Sequence, residues 1–324
     1  MEGPERRSAW EELAARAEGA TFFHTPAWAD VLVSTFPAWE PATEVIELGP
    51  EPLRETRCVL PMLRRGGTLE SMPPGVYGGP LFERPPTAEE LARVWDLLDE
   101  RPSWFLYGNP YVDYVVEPGG ARQELFTQTI DLAPGFDTLQ RRFRRRYREG
   151  IRAAARRGYE VSTAQDLEDV EGYCDVYEDT LRRWGTSARG FYPRALFRNL
   201  HLASLTNEAI RLWVVRRQGE LVGGGWFFRH AGHLAYWHGA VLERDMRGYP
   251  MHLLMANVIE DACRQEVRTF DFNPSAGLGG VEAFKRGFGA ERRPFASWRR
   301  STPLDKTTQH LRRVRERWFR QCPL

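Results

Sequence analysis

One order of elements is written twice into this 324-residue chain, and few architectures accept it. In the first half, hydrophobic periodicity and turn residues predict a helix near Arg7 to Ala17 and a second entered through Thr25-Pro26. Extended segments follow at Glu44 to Leu48, Thr56 to Leu63 and Thr68 to Ser71. A helix capped by Thr87 then runs to about Glu100, with strands at Trp104 to Gly108 and Leu125 to Leu132. The second half predicts helices at Phe136 to Gly158, Leu167 to Trp184 and Pro193 to Leu205. Strands come next at Arg211 to Arg217, Leu221 to Arg229 and His233 to Leu242, then a helix from about Pro250 to Glu266, and strands at Thr269 to Phe272 and near Phe295 to Arg299. Each half reads helices, meander, helix, strand, loop, strand. The segments Trp104 to Pro110 and Thr269 to Pro274 both follow the main helix and both end in Asn-Pro. The expectation is an α/β fold with two tandem domains, 1-135 and 136-300, each a mixed, mostly antiparallel sheet flanked by helices, and a basic tail helix over 301-324.

Charge separates the two halves. Residues 1 to 135 hold 11 Arg against 22 Asp plus Glu, and the remainder holds 34 Lys plus Arg against 22, although the whole chain nets only +1. The basic half carries a field that attracts phosphorylated ligands, or else helps two domains associate. No run of eighteen apolar residues occurs and no apolar stretch follows the first residues, so the expected location is the cytoplasm. Cys58, Cys174, Cys263 and Cys322 form no C-x-x-C pair, which argues against a zinc site and a disulfide framework.

Three constellations carry candidate chemistry. Lys285 is one of two lysines, with Lys306, beside forty-three arginines. Lysine is a compact, titratable point charge where arginine is a rigid, permanently protonated fork, so a site needing the first is not served by the second. From Arg141 to Arg157 there are nine arginines and one acidic residue, Glu149, with Phe143, Tyr147 and Ile151 on one apolar face. Such a helix repels itself unless an anion relieves it, and Arg145, Arg148 and Arg152 are the candidate phosphate-binding residues. Trp28, Tyr236 and His238 are candidate acceptor contacts. Strand alternation predicts Tyr236 and His238 on one face and Trp237 on the other. Asp271 is a candidate base, with Glu282 a weaker one.

Other patterns fail. Gly277 to Gly280 opens no G-x-G-x-x-G fingerprint. His230 and His233 lack an evident third ligand, so no metal is expected. The glycines between Val222 and Trp226 predict a bulge or a close ligand approach in the meander.

Phe23 to Trp28, Arg148 to Val161, Phe270-Asp-Phe and Phe284 to Gly289 together make the chain resemble the Fem-type transferases, the FemABX and BioF2-like acetyltransferase group with two tandem GNAT-like domains. The resemblance spans roughly Phe22 to Arg299. It implies amide formation by transfer of an aminoacyl group from aminoacyl-tRNA to an amine acceptor such as a peptidoglycan precursor or a metabolite. It also implies a role for Lys285 near the reacting ester and points to Arg148 among the arginines. No cofactor is implied beyond the donor substrate. Acyl-CoA is the alternative donor; the turn that cradles its pyrophosphate corresponds to Asp245 to Pro250, where only Gly248 fits and Pro250 has no amide hydrogen. The expected partners are aminoacyl-tRNA and a small-molecule or peptide amine acceptor, with no stable protein partner; the basic segment Leu311 to Arg320 is read either as a helix packed back on the second domain or as a peripheral contact with anionic lipid or RNA. A non-catalytic protein that binds RNA or an anionic glycan is the reading from another class, and Lys285→Ala separates it from an enzyme.

Overall fold

The computed structural model describes residues 3–48, 56–73, 76–185, 192–275 and 277–302. The expected tail helix lies outside them. Among the described residues the elements run α1 (Pro4–Arg16), α2 (Pro26–Thr35), β1 (Glu40–Pro41), β2 (Glu44–Leu48), β3 (Thr56–Leu60), β4 (Leu63–Arg65), β5 (Thr68–Glu70), β6 (Leu81–Phe82), α3 (Ala88–Asp99), β7 (Trp104–Tyr107), β8 (Ala121–Asp131), α4 (Phe136–Arg142), α5 (Arg145–Arg156), β9 (Tyr159–Thr163), α6 (Leu167–Trp184), α7 (Arg194–Ser204), β10 (Ile210–Arg217), β11 (Glu220–His230), β12 (His233–Val241), α8 (Pro250–Arg264), β13 (Thr269–Asp271), α9 (Gly279–Gly287) and β14 (Glu291–Arg300). None of these helices is long and apolar enough to cross a membrane.

The chain divides into two compact units. The first takes residues up to Ala29, Phe36–Leu125, and the chain from Phe295. Its strands follow the order β1-β4-β5-β7, with the end of β14 against β7, and β2-β3-β6 form a second small sheet. Helix α3 joins β5 to β7, which lie parallel with Leu69 opposite Trp104. The helix starts where the sequence places it because Thr87 and Glu90 satisfy each other's backbone amides, at 3.2 and 2.8 Å. Its Leu91, Val94, Trp95 and Leu98 pack on Leu48, Trp104, Leu106 and Trp298.

The second unit takes Asp30–Thr35 and Phe126–Pro294. Its strand order is β8-β13-β12-β11-β10-β9. β10, β11 and β12 are an antiparallel meander; α8 crosses over to β13, which lies parallel to β12, and β8 closes the other side antiparallel. The same hairpin, helix and parallel strand therefore occur in both units, as the repeated order in the sequence predicts. One sheet face carries α8 and α5 through a core that includes Tyr147, Ala154, Phe227, Leu254 and Val258. The other carries α6 and α7, with Tyr173 and Phe197 against Trp226.

Two expectations in this unit are corrected. The single helix expected over Phe136 to Gly158 is broken, because Phe143 leaves helical geometry (φ −60°, ψ 144°) to place its ring between Phe136 and Phe288. The amide of Arg144 then bonds the carbonyl of Gly287 at 2.9 Å. Beyond Gly158, whose φ of 76° ends α5, the chain forms an unexpected strand, β9, paired with β10.

Candidate active site

The pairing of β12 with β13 runs only from His233 opposite Thr269 to Ala235 opposite Asp271, whereas β12 itself continues to Val241. From Tyr236 onward that edge of β12 has no strand beside it among the described residues. Strands that part leave a wedge, and here it opens into a cavity of about 560 Å³ bounded by β12, the end of α6, the start of α8 and α9. Tyr236, Val241, Tyr249, Met251, His252 and Phe284 give it a mostly apolar wall, and Arg183 stands at its side. His252 is clamped among the rings of Tyr147, Tyr249 and Phe284. Burial, helped by the charge of Arg146, holds its imidazole down at about 4, so it is neutral.

A bulge decides which side chains face this cavity. Phe227 pairs with Tyr236 and Trp226 with His238, so Trp237 is an extra residue in β12. The expectation that Tyr236 and His238 share a face is therefore corrected. Tyr236 turns to the α8 side, stacked on Phe227 with Phe272 edge-on. Trp237 and His238 turn together to the α6 and α7 side. There His238 shares a 2.5 Å hydrogen bond with Tyr173 and meets the ring of Tyr177, and burial lowers its imidazole to about 3.

Glycines shape the wall around Tyr236. A Cβ on Gly225 would lie 2.9 Å from the ring, and one on Gly239 only 1.8 Å from the hydroxyl. What these glycines lie against in the chain is aromatic, for Gly224 is similarly close to Tyr173.

Lys285 follows Phe284 on α9 and turns the other way. It is 2% exposed, and its Nζ donates to the backbone oxygen of Asn273 at 2.6 Å. Burial brings its ammonium down to about 7 against the opposing pull of Asp271 and Glu282. Asn273 itself has a left-handed backbone (φ 56°), and neither end of its buried amide has a partner among the described residues. Asp271 is wholly buried; its carboxylate accepts from Thr127 Oγ1 at 2.6 Å and from the Asn273 amide at 2.7 Å, with His233 Nε2 at 3.4 Å. That setting makes it the anchor of the turn after β13.

The arginines of α5 do different jobs. Arg148 reaches back to the carbonyls of Arg141 and Phe143 at 2.7 and 2.6 Å, closing the break between α4 and α5. Arg145 pairs with Glu149 at 2.7 Å on the surface, and Arg152 is exposed. Arg146 lies over Tyr147, whose ring contacts His252 of the cavity wall. Trp28 is completely buried in the first unit against Phe22 and Phe23 and lines no part of the cavity. Sequence reasoning passed over Tyr249, His252 and Phe284. The sign was present in Phe284 beside the singled-out lysine and in Tyr249 immediately before a helix-opening proline.

Residues 141–286, which contain the meander, the crossover and the cavity, match the family model described as an acetyltransferase (GNAT) domain. Three solved structures share the fold of the chain over nearly its whole length. FemX is 13% identical, covers 90% of this chain and 95% of its own, and has a TM-score of 0.65. L-PGS from Bacillus licheniformis is 12% identical, covers 96% and 95%, and scores 0.58. The tandem GNAT protein from the clavulanic acid biosynthesis pathway is 15% identical, covers 93% and 97%, and scores 0.53. No curated protein matches the chain in sequence. The expected tandem GNAT fold is borne out.

Proposed function

We propose that the chain forms an amide by moving an acyl group from a thioester donor, of the acyl-CoA kind, to an amine. The observation that carries this reading is the apolar cavity beside the unpaired edge of β12. An extended donor arm adds to a free strand edge through backbone hydrogen bonds, as an extra strand does. The apolar wall excludes water from the carbonyl under attack, which strengthens every dipole directed at the oxygen that gains charge. Arg183 and Arg146 supply positive charge near the cavity for donor phosphates.

Aminoacyl-tRNA transfer is the second reading, favoured by the exposed arginines of α5, which suit a polyphosphate backbone. Binding of acetyl-CoA and of charged tRNA, measured at two salt concentrations, separates the two. Saturable acetyl-CoA binding with weak tRNA binding supports the thioester donor. Tight tRNA binding with a steep salt dependence and no acetyl-CoA binding overturns it in favour of the aminoacyl ester.

A further inference from the structure

We propose that the first unit holds a second ligand site, for a small molecule bearing a phosphate monoester, in a cavity of about 360 Å³ where α1, the β1–β2 connection, the β4–β5 hairpin and the turn after α3 meet. It stands apart from the acyl-transfer reading, since every residue that lines this cavity belongs to the first unit. Residues 1 to 135 hold 22 carboxylates against 11 arginines. Three of those arginines, Arg6, Arg64 and Arg101, nevertheless line this one cavity, with Glu44 the acidic residue beside them among the described residues. The charge of the unit is locally reversed, and walls that focus a field of one sign draw in a ligand of the other.

The protein does not use up these cations. The Arg6 side chain bonds no acceptor among the described residues. Arg64 and Glu40 stand opposite each other on β4 and β1, and Arg64 Nε and Nη2 both meet the single oxygen Glu40 Oε2, at 3.2 and 2.9 Å. That pair holds the guanidinium in place and leaves Nη1 for a ligand. Arg101 reaches Glu44 only at 3.5 Å. With Glu40 counted from outside the lining, an excess of positive charge remains. The hydroxyls are committed instead, Thr43 to the Met62 backbone and Ser103 to Thr68, so recognition here is by charge and fork geometry. The carboxyl end of α3 opposes an anion, and the Arg101 charge that follows it offsets that end. Three guanidiniums against one lining carboxylate suit a monoester, which carries about two negative charges at neutral pH, better than a singly charged diester.

The test is calorimetric titration of the full chain with methyl phosphate and with dimethyl phosphate, which keeps the phosphorus and one methyl ester but only a single charge. Methyl phosphate should bind saturably and about 10-fold more tightly than the diester. Arg64→Gln and Arg101→Gln should each weaken it by about 10-fold, the scale of one charge-assisted hydrogen bond. Glu44→Gln removes the lining carboxylate and should tighten binding by about 3-fold, a gain that no folding defect can produce. Arg152→Gln, on the exposed face of α5, should change nothing. Absence of saturable binding overturns the site. So does binding that Arg152→Gln weakens while Arg64→Gln and Arg101→Gln leave it intact, because the anion then sits on α5. Equal affinity for the two esters overturns the monoester as the ligand class. None of these outcomes bears on acyl transfer in the second unit.

Discussion

Lys285 directs its ammonium at the backbone oxygen of Asn273, 2.6 Å away, from a position where only 2% of its surface meets solvent. The bond ties α9 to the turn that follows β13, and desolvation sets what it costs to keep the ammonium charged.

That cost has a pH signature. The unfolded chain keeps the lysine protonated up to its ordinary value of 10.5, whereas the folded chain releases the proton near 7. Between those values the unfolded state binds more protons, so this group makes the fold more stable as pH rises, and below 7 its full penalty is present. Lys285→Met should flatten urea-unfolding free energies between pH 7 and 10 relative to wild type, the difference reaching roughly 2–4 kcal/mol. An unchanged slope would remove the buried ammonium from the account.

Asp271 should behave as an anchor. Asp271→Asn leaves Thr127 and the Asn273 amide with a weaker acceptor inside the protein. A loss of about 2–4 kcal/mol in chemical denaturation is expected. The kcat of the remaining folded protein should fall far less than that of a variant lacking its base; a drop of a thousandfold with stability intact would instead identify Asp271 as the base.

The arginines of α5 should separate by task. Arg148→Ala strips the cap from the α4 carbonyls and should cost about 1–2 kcal/mol in thermal or urea unfolding. Arg152→Ala is exposed and should leave stability within about 0.5 kcal/mol. If RNA is bound, the loss of Arg152 should lower the slope of log affinity against log salt by about 1.

Thr87→Ala opens the capping box of α3 and should destabilise the protein by about 1 kcal/mol in thermal melts. Acyl transfer per folded molecule should not change, since Thr87 lies outside the cavity wall.

How much of this the sequence revealed depends on the range of the interactions responsible. Helix α3 is legible because its start is decided within four residues by Thr87 and Glu90. The meander and crossover are legible because turn residues and alternation are local. The break at Phe143 is not, since every residue around it favours helix and the ring is drawn out by Phe288, far along the chain. The bulge at Trp237 leaves no mark in residue types, and it reverses the face of His238 that alternation implies. Lys285 stands out by rarity alone, yet rarity does not tell that it is buried or which way it turns from Phe284. The cavity follows from two strands parting, and no residue code announces where a parallel pair ends.

The strand that pairs with β7 in the first unit, the Ser297 to Arg300 end of β14, is supplied after almost the whole of the second unit has passed in sequence. During synthesis, β7 therefore emerges long before the partner for that edge. The second unit, whose latest residue is Pro294, has all its own strands available first. The order of maturation runs against the order of translation, and the ribosome must deliver the second unit before the first can complete its sheet.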